Sequence, residues 1–340
     1  MKQLTSVEEI GSNLNVILRM DTDLSMDDGQ ILDNSRLKKS IPTIRYLMEK
    51  ENTIVIVGHM GRPTNYDENL SLKPIYLELM SLLEMDGQNT IESVFVDDIK
   101  DETKIRAAIE KNQIIFMENL RFWNEEESGN TSLFLNLKEY CSTFVNDAFA
   151  VAHRKSASVI LHREINTYYG FSFVEETEKI SQILDKKERP ITIILGGAKK
   201  DKLDYLIDLE KIADWILVGG KLPQLIQKEP IDNKIVIAKL REDGLDLSDD
   251  DIEKFIEIIN RSKTIIWSGA MGFYEDENCR EGTKEIAMAV ANTDGYKIIA
   301  GGDTSTSIKY LGLKNKIDFI CSGGGVMLEL LTKGSLPAWI

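Results

Sequence analysis

Short apolar runs rich in isoleucine and valine recur along the whole chain, and they set the reading of the fold. The pattern predicts strands over 15–20 (NVILRM), 53–58 (TIVIVG), 93–96 (SVFV), 113–117 (QIIFM) and 143–147 (TFVND). A second series follows at 191–195 (ITIIL), 214–218 (DWILV), 234–238 (KIVIA), 263–267 (KTIIW), 297–301 (KIIAG) and 318–322 (DFICS). These runs are apolar on both faces instead of alternating, as in parallel sheets covered by helices on each side. Helical stretches lie between them at 35–50, 71–84 and 248–260, the last opened by Ser248 and a first turn of acids. Alternation of this kind predicts an α/β protein with two Rossmann-like, three-layer α/β/α domains built on parallel sheets. The charged stretch 175–190 (EETEKISQILDKKERP) separates the two series and reads as a hinge helix ended by Pro190.

Composition narrows the function. A chain of 340 residues fits two domains, and 42% hydrophobic residues are enough to bury a core in each. The net charge of −15 argues against a nucleic-acid or membrane-surface partner, either of which would need a basic face. No apolar run approaches the ~20 residues of a membrane span, and MKQLTSVEEI has no signal-peptide core. Cys141, Cys279 and Cys321 are too scattered for a zinc site or a disulfide framework, which fits a reducing cytoplasm.

The chemistry collects at strand ends, where open α/β sheets bind their ligands. The first series ends in Arg19, Asp21, His59, Arg62, Arg121 and Arg154, with Arg36 opening the first helix. Arginine makes bidentate contacts with phosphate and carboxylate, so this rim suits a small, multiply charged anion. The second series ends in glycines, with Lys199, Lys202 and Asp303 among them. Glycines let backbone N–H groups approach phosphates, and an Asp–Thr pair after two glycines suits Mg²⁺ and phosphate. An anionic acceptor on one half and a nucleotide on the other is the layout of a two-domain kinase. Taken singly, each piece also reads as plain fold: a strand-end Gly pair is a tight turn, a lone arginine a surface ion pair, and Asp147 a helix cap. There is no Walker loop and no protein-kinase motif set.

In order along the chain stand RMDTD (19–23), DNSRLKKSIPTI (33–44), GHMGRP (58–63), SLKP (71–74), ENLRF (118–122) and NDAFAVAHR (146–154). GGAK (196–199), WSGAMGFYE (267–275), EGT (281–283), GGDT (301–304) and SGGG (322–325) follow. From about Val16 to Pro337 the chain resembles the phosphoglycerate kinases. The resemblance implies transfer of a phosphoryl group between ATP and the carboxylate of 3-phosphoglycerate, giving ADP and 1,3-bisphosphoglycerate, with Mg²⁺ carried on the nucleotide. It implies that Asp21, Asp23, Arg36, His59, Arg62, Arg121 and Arg154 hold the acceptor, with Arg62, Arg121 and Arg154 at its phosphate. Arg36, Lys199, Gly302 and Gly325 would stabilise the transferring group. Gly197, Ala198, Lys199, Lys202, Gly220, Gly272, Glu275, Gly302, Asp303 and Thr304 would line the nucleotide site, with Asp303 toward Mg²⁺. The implied layout is an acceptor domain over 1–172, a hinge over 173–190, a nucleotide domain over 191–322, and a segment over 323–340 returning to the first domain. A cytoplasmic monomer is expected.

The chain departs from the family pattern at four places. Asp23 stands where the family has Asn, GGAKKDK is one residue short between Lys199 and Lys202, WSGAMG replaces WNGPMG, and the stretch from Gly220 to Trp267 is trimmed. Two alternatives therefore stay open beside the kinase: a kinase for a different carboxylic acid, and a non-catalytic homologue that binds anion or nucleotide.

Overall fold

A computed structural model describes residues 4–27, 29–85, 91–186, 188–226 and 233–340. The chain divides into two compact units, one running to Thr177 and including Ser335–Ile340, the other Glu178–Gly334. The boundary falls inside the helix Phe171–Lys186.

The first unit contains β1 (Asn15–Met20), a short hairpin of β2 (Met26–Asp27) and β3 (Gln30–Ile31), β4 (Thr53–Val57), β5 (Ser93–Val96), β6 (Ile114–Met117), β7 (Thr143–Asp147) and β8 (Asn166–Tyr169). Its main sheet has the order β5-β6-β4-β1-β7-β8, every pair parallel. Successive residues of one strand feed opposite cores. Val16, Leu18, Ile54, Ile56 and Phe116 join one cluster, while Ile17, Val55, Val57, Ile115 and Phe144 join the other. This two-sided burial is the physical content of the non-alternating runs. The final residues close the unit: Tyr169 donates its hydroxyl to Ala338 O at 2.9 Å, and Ala338 N donates to Ala152 O at 3.1 Å.

The second unit contains β9 (Ile191–Leu195), β10 (Trp215–Val218), β11 (Ile235–Ile237), β12 (Thr264–Ser268), β13 (Tyr296–Ala300) and β14 (Phe319–Cys321). Their order is β11-β10-β9-β12-β13-β14, again all parallel. The chain leaves β9 in one direction and returns at β12 in the other, so a topological switch point lies between those two strands. The helix Asp249–Asn260 begins where the acids place it, with Ser248 accepting from Asp251 N. Of the trimmed stretch, residues 227–232 lie outside the described residues.

Three elements differ from the sequence reading. β8 is an edge strand of sequence NTYY, whose polar half gives no apolar run. The β2–β3 hairpin is two residues per strand, too short to carry a pattern. The helix expected over 175–190 spans Phe171–Lys186, starting four residues early. Its start is fixed from other elements: Thr43 Oγ1 accepts from Phe171 N at 3.0 Å, and Asp147 Oδ1 accepts from Phe173 N at 3.1 Å. Asp147 is therefore a helix cap, as its plain reading held. Among the described residues no helix is long and apolar enough to cross a membrane.

Candidate functional site

At the carboxyl ends of β1, β4, β6 and β7 the first unit gathers a cationic rim. Its loops are set by two residues of the ENLRF motif that do not face a ligand. Glu118 is buried and accepts from Ser71 Oγ, Leu72 N and Asn119 N, which holds the start of the helix Lys73–Glu84. Asn119 is fully buried; its amide donates to Met60 O and Leu70 O, and its Oδ1 accepts from Met60 N and Arg121 N. The loop 58–63 and Arg121 are thereby tied together. Gly58 is required by close packing, because a Cβ there would lie 2.2 Å from Thr22 Oγ1.

On this frame most of the residues expected to hold an acceptor fall together. Arg36 Nη1 lies 3.2 Å from both carboxylate oxygens of Asp21 and donates to Asp23 O at 2.9 Å. Asp21 holds the Arg36 guanidinium above its ordinary pKa, while burial raises Asp21 itself against the pull of Arg36. Asp23 is exposed, and its Oδ1 accepts from Gly61 N at 2.9 Å. Arg121 donates to Gly61 O and pairs with Glu127 at 3.3 Å; burial and then the neighbouring Arg154 lower its pKa. Arg154 is half-buried, with its Nε shielded and lacking a hydrogen-bond partner. Arg62 is exposed. His59 is 3% exposed, and burial followed by Arg19, Arg121, Arg154 and Arg36 pushes it well below the usual imidazole range. A cluster of guanidiniums in which one donor is buried and unsatisfied is arranged to receive an anion. Arg19 is different. At 1% exposure it lies beneath the rim, on the opposite side of the strand from Leu18 and Met20, where no ligand reaches it.

In the second unit the strand-end loops are laced together. Gly197 N donates to Ala270 O at 2.7 Å, Gly220 N to Met271 O at 3.0 Å, and Lys221 N to Gly197 O at 3.0 Å. The N–H groups of Gly197 and Gly220 are thus engaged within the fold, and a Cβ at Gly220 would lie 2.5 Å from Gly197 N. Lys202 reaches over the switch point, its Nζ donating to Gly196 O and Ser268 O, each at 2.9 Å. Burial, with Lys199 second, pushes it down to about 8. Gly272 N donates to Thr283 Oγ1 and Gly269 N to Thr304 Oγ1, so the fully buried Thr304 hydroxyl organises the loop. Ala198, Lys199, Glu275, Gly302 and Asp303 are exposed around it. The helices Gly302–Tyr310 and Gly324–Lys333 begin beside each other: a Cβ on Gly301 would find Gly324 N as its nearest neighbour, at 3.9 Å. Two adjoining helix N-termini that open on glycines, Gly325 included, present free N–H groups and positive dipole ends to an anion. Asp303 stands in the first turn of one of them. Among the described residues no group of three or more His, Cys, Asp or Glu could cage a metal.

Comparison with known proteins matches residues 8–235 and 226–334 to the phosphoglycerate kinase family model. The chain is 30% identical to the phosphoglycerate kinase of Dictyoglomus turgidum, over 95% of this chain and 93% of that one. It is 31% identical to that of Desulforapulum autotrophicum, over 98% of each. Among solved structures, phosphoglycerate kinase from Pyrococcus horikoshii OT3 superposes with a TM-score of 0.82 at 27% identity, covering 98% of this chain and 97% of that one.

Proposed function

Because the chain belongs to the phosphoglycerate kinase family, we propose that it transfers a phosphoryl group between ATP and the carboxylate of 3-phosphoglycerate by in-line displacement. The acceptor carboxylate is ionised at neutral pH, so attack on the γ-phosphorus needs no general base. The chain's task is positioning and charge neutralisation. The observation that carries this reading is the arginine-lined rim of the first unit, with Arg154 Nε buried and unsatisfied where Arg36, Arg121 and Arg154 surround His59.

In this reading Arg62, Arg121 and Arg154 hold the acceptor's phosphate, and Asp21 and His59 hold its other polar groups, beside the exposed Asp23, whose Oδ1 accepts from Gly61 N. Arg36, fixed by Asp21 and by Asp23 O, neutralises the transferring group. Lys199, Gly302 and Gly325 act on the same group from the nucleotide side. Ala198, Lys202, Glu275 and Asp303 line the nucleotide, while Gly197, Gly220, Gly272 and Thr304 shape its walls. A magnesium ion on the nucleotide would neutralise phosphate charge when bound. One exposed carboxylate, Asp303, is enough for it, since Mg²⁺ keeps water and phosphate oxygens as its other ligands. The division at a 173–190 hinge, action as a monomer, and a reducing cytoplasm, in keeping with three buried free cysteines, belong to the same proposal.

Calorimetry with 3-phosphoglycerate and with Mg-ADP separately tests it. Both are expected to bind, and Arg154→Ala is expected to weaken 3-phosphoglycerate alone. Failure of 3-phosphoglycerate to bind would transfer the site to a different acid.

A further inference from the structure

We propose that Glu126, Ser158 and Arg19 form a buried positioning chain that holds His59 as a neutral imidazole with its proton on Nε2. His59 then meets the acceptor as a hydrogen-bond donor, not as a base or a cation. The part concerning the acceptor rests on the function proposed above; the part concerning the proton does not.

A guanidinium has N–H donors and no acceptor. Arg19 Nη2 lies 2.7 Å from His59 Nδ1, so Nδ1 must be bare and accept. An imidazole with a bare Nδ1 carries its proton on Nε2. Protonating the ring would set two donors face to face.

Arg19 cannot move aside. Its Nε donates to Ser158 Oγ at 3.0 Å and its Nη1 to Met20 O. Having accepted from Arg19, the Ser158 hydroxyl turns its own proton to Glu126 Oε1 at 2.5 Å, and Ser158 N donates to Glu126 Oε2 at 2.9 Å. Both carboxylate oxygens are filled, and Glu126 is 2% exposed. A buried carboxylate and a buried guanidinium thus balance through one hydroxyl, which fixes the fork of the guanidinium against the ring. The ring's own backbone is also held, with His59 O accepting from Thr22 Oγ1 at 2.8 Å.

The groups around His59 act in the same direction. Arg19 comes from β1, Arg36 from the helix Ser35–Glu49, Arg121 from the turn after β6, and Arg154 from the turn after β7; all four oppose a charge on the ring. Asp21, Asp23 and Glu127 are carboxylates of the rim; Asp21 is taken up by Arg36 and Glu127 by Arg121. A neutral donor adds a hydrogen bond to an anion without adding a further cation to a crowded arginine cluster. It also keeps that bond constant over the pH range in which an ordinary histidine titrates.

The test uses the full chain with ¹⁵N-labelled histidine and two-bond ¹H–¹⁵N correlation spectra between about pH 5.5 and 8. His59→Gln identifies the His59 signals among the three histidines. The expected result is an Nε2-protonated, non-titrating His59. In Arg19→Met/Glu126→Gln, which removes both charges together, the ring is expected to become a mixture of tautomers and to titrate nearer the ordinary value of about 6.5. The KM for 3-phosphoglycerate, taken relative to the parent at each pH to cancel the substrate's own ionisation, should then fall by up to about tenfold from pH 8 to 6, the scale of one charge-assisted hydrogen bond. The kcat should move less. An Nδ1-protonated or titrating His59 in the parent, or an unchanged spectrum in the variant, overturns the proposal. If the double variant fails to fold, Ser158→Ala keeps both charges but unlocks Arg19; mixed tautomers are expected there, and an unchanged tautomer overturns the proposal. A chain with the expected tautomer but no affinity for 3-phosphoglycerate would count against the acceptor assignment alone.

Discussion

Replacing Asp147 by asparagine separates the worth of a helix cap from the cost of a buried charge. Asp147 is 3% exposed; its Oδ1 caps the helix Phe171–Lys186 through Phe173 N, and its Oδ2 is buried without a partner of good geometry. Burial raises its pKa to about 7, opposed by Phe173 N and the nearby Thr43 and Ser40 hydroxyls and reinforced by Glu176. Lys39 pairs with Glu176 at 3.1 Å. The carboxyl binds its proton more tightly folded than unfolded, where its pKa is about 3.9. Its favourable contribution is therefore complete below about pH 4 and is lost as pH rises through about 7. Three pKa units correspond to about 4 kcal/mol at pH 8 as an upper figure. Asparagine keeps the acceptor for Phe173 N and carries no charge. Asp147→Asn is therefore expected to stabilise the first unit at pH 8 by about 1–4 kcal/mol and to be nearly neutral at pH 4. Urea unfolding at both pH values, read from a probe in that unit, gives the difference. Equal destabilisation at both would refute the reasoning, because it would mean that the ionised cap is favourable where it lies.

Removing the exposed carboxylate of Asp23 by Asp23→Asn keeps an oxygen for Gly61 N and takes one negative charge from the acceptor rim. At near-solvent dielectric about 1 kcal/mol is at stake, so the KM for 3-phosphoglycerate should fall roughly fivefold in steady-state assays; a rise would show that the carboxylate contacts a donor on the acceptor. Arg36→Ala should lower kcat by about 10²-fold, the scale of one lost transition-state donor, and near-normal turnover would remove that role. Gly58→Ala puts a methyl 2.2 Å from Thr22 Oγ1 and should cost about 1–3 kcal/mol in thermal unfolding; an unshifted midpoint would show that Thr22 has room to turn.

Both sheets were legible because their strands are buried on two faces, which leaves runs such as ITIIL and TIVIV without polar interruption. β8 was not, since an edge strand can afford Asn166 and Thr167. The cationic cluster of the first unit was legible as a constellation of rare types at strand ends. What stayed hidden is which polar residues face the ligand and which build its walls. Thr304 and Gly220 look like ligand groups in sequence, yet the fold spends their polar atoms on neighbouring loops. Arg19 carried a usable signal: an arginine between Leu18 and Met20 in a strand covered on both faces must be buried and paired. Its partners carried none, because Ser158 stands 139 residues away and Glu126 lies in a short acidic helix.

Steady-state turnover of the purified chain with Mg-ATP and 3-phosphoglycerate, coupled to reductive consumption of the acyl phosphate, tests the central claim most directly. Lys199→Ala, prepared in parallel, sets the level of contaminating host kinase. The account predicts turnover that the Lys199→Ala chain loses by about 10²-fold or more. Turnover no higher in the parent than in Lys199→Ala would contradict it.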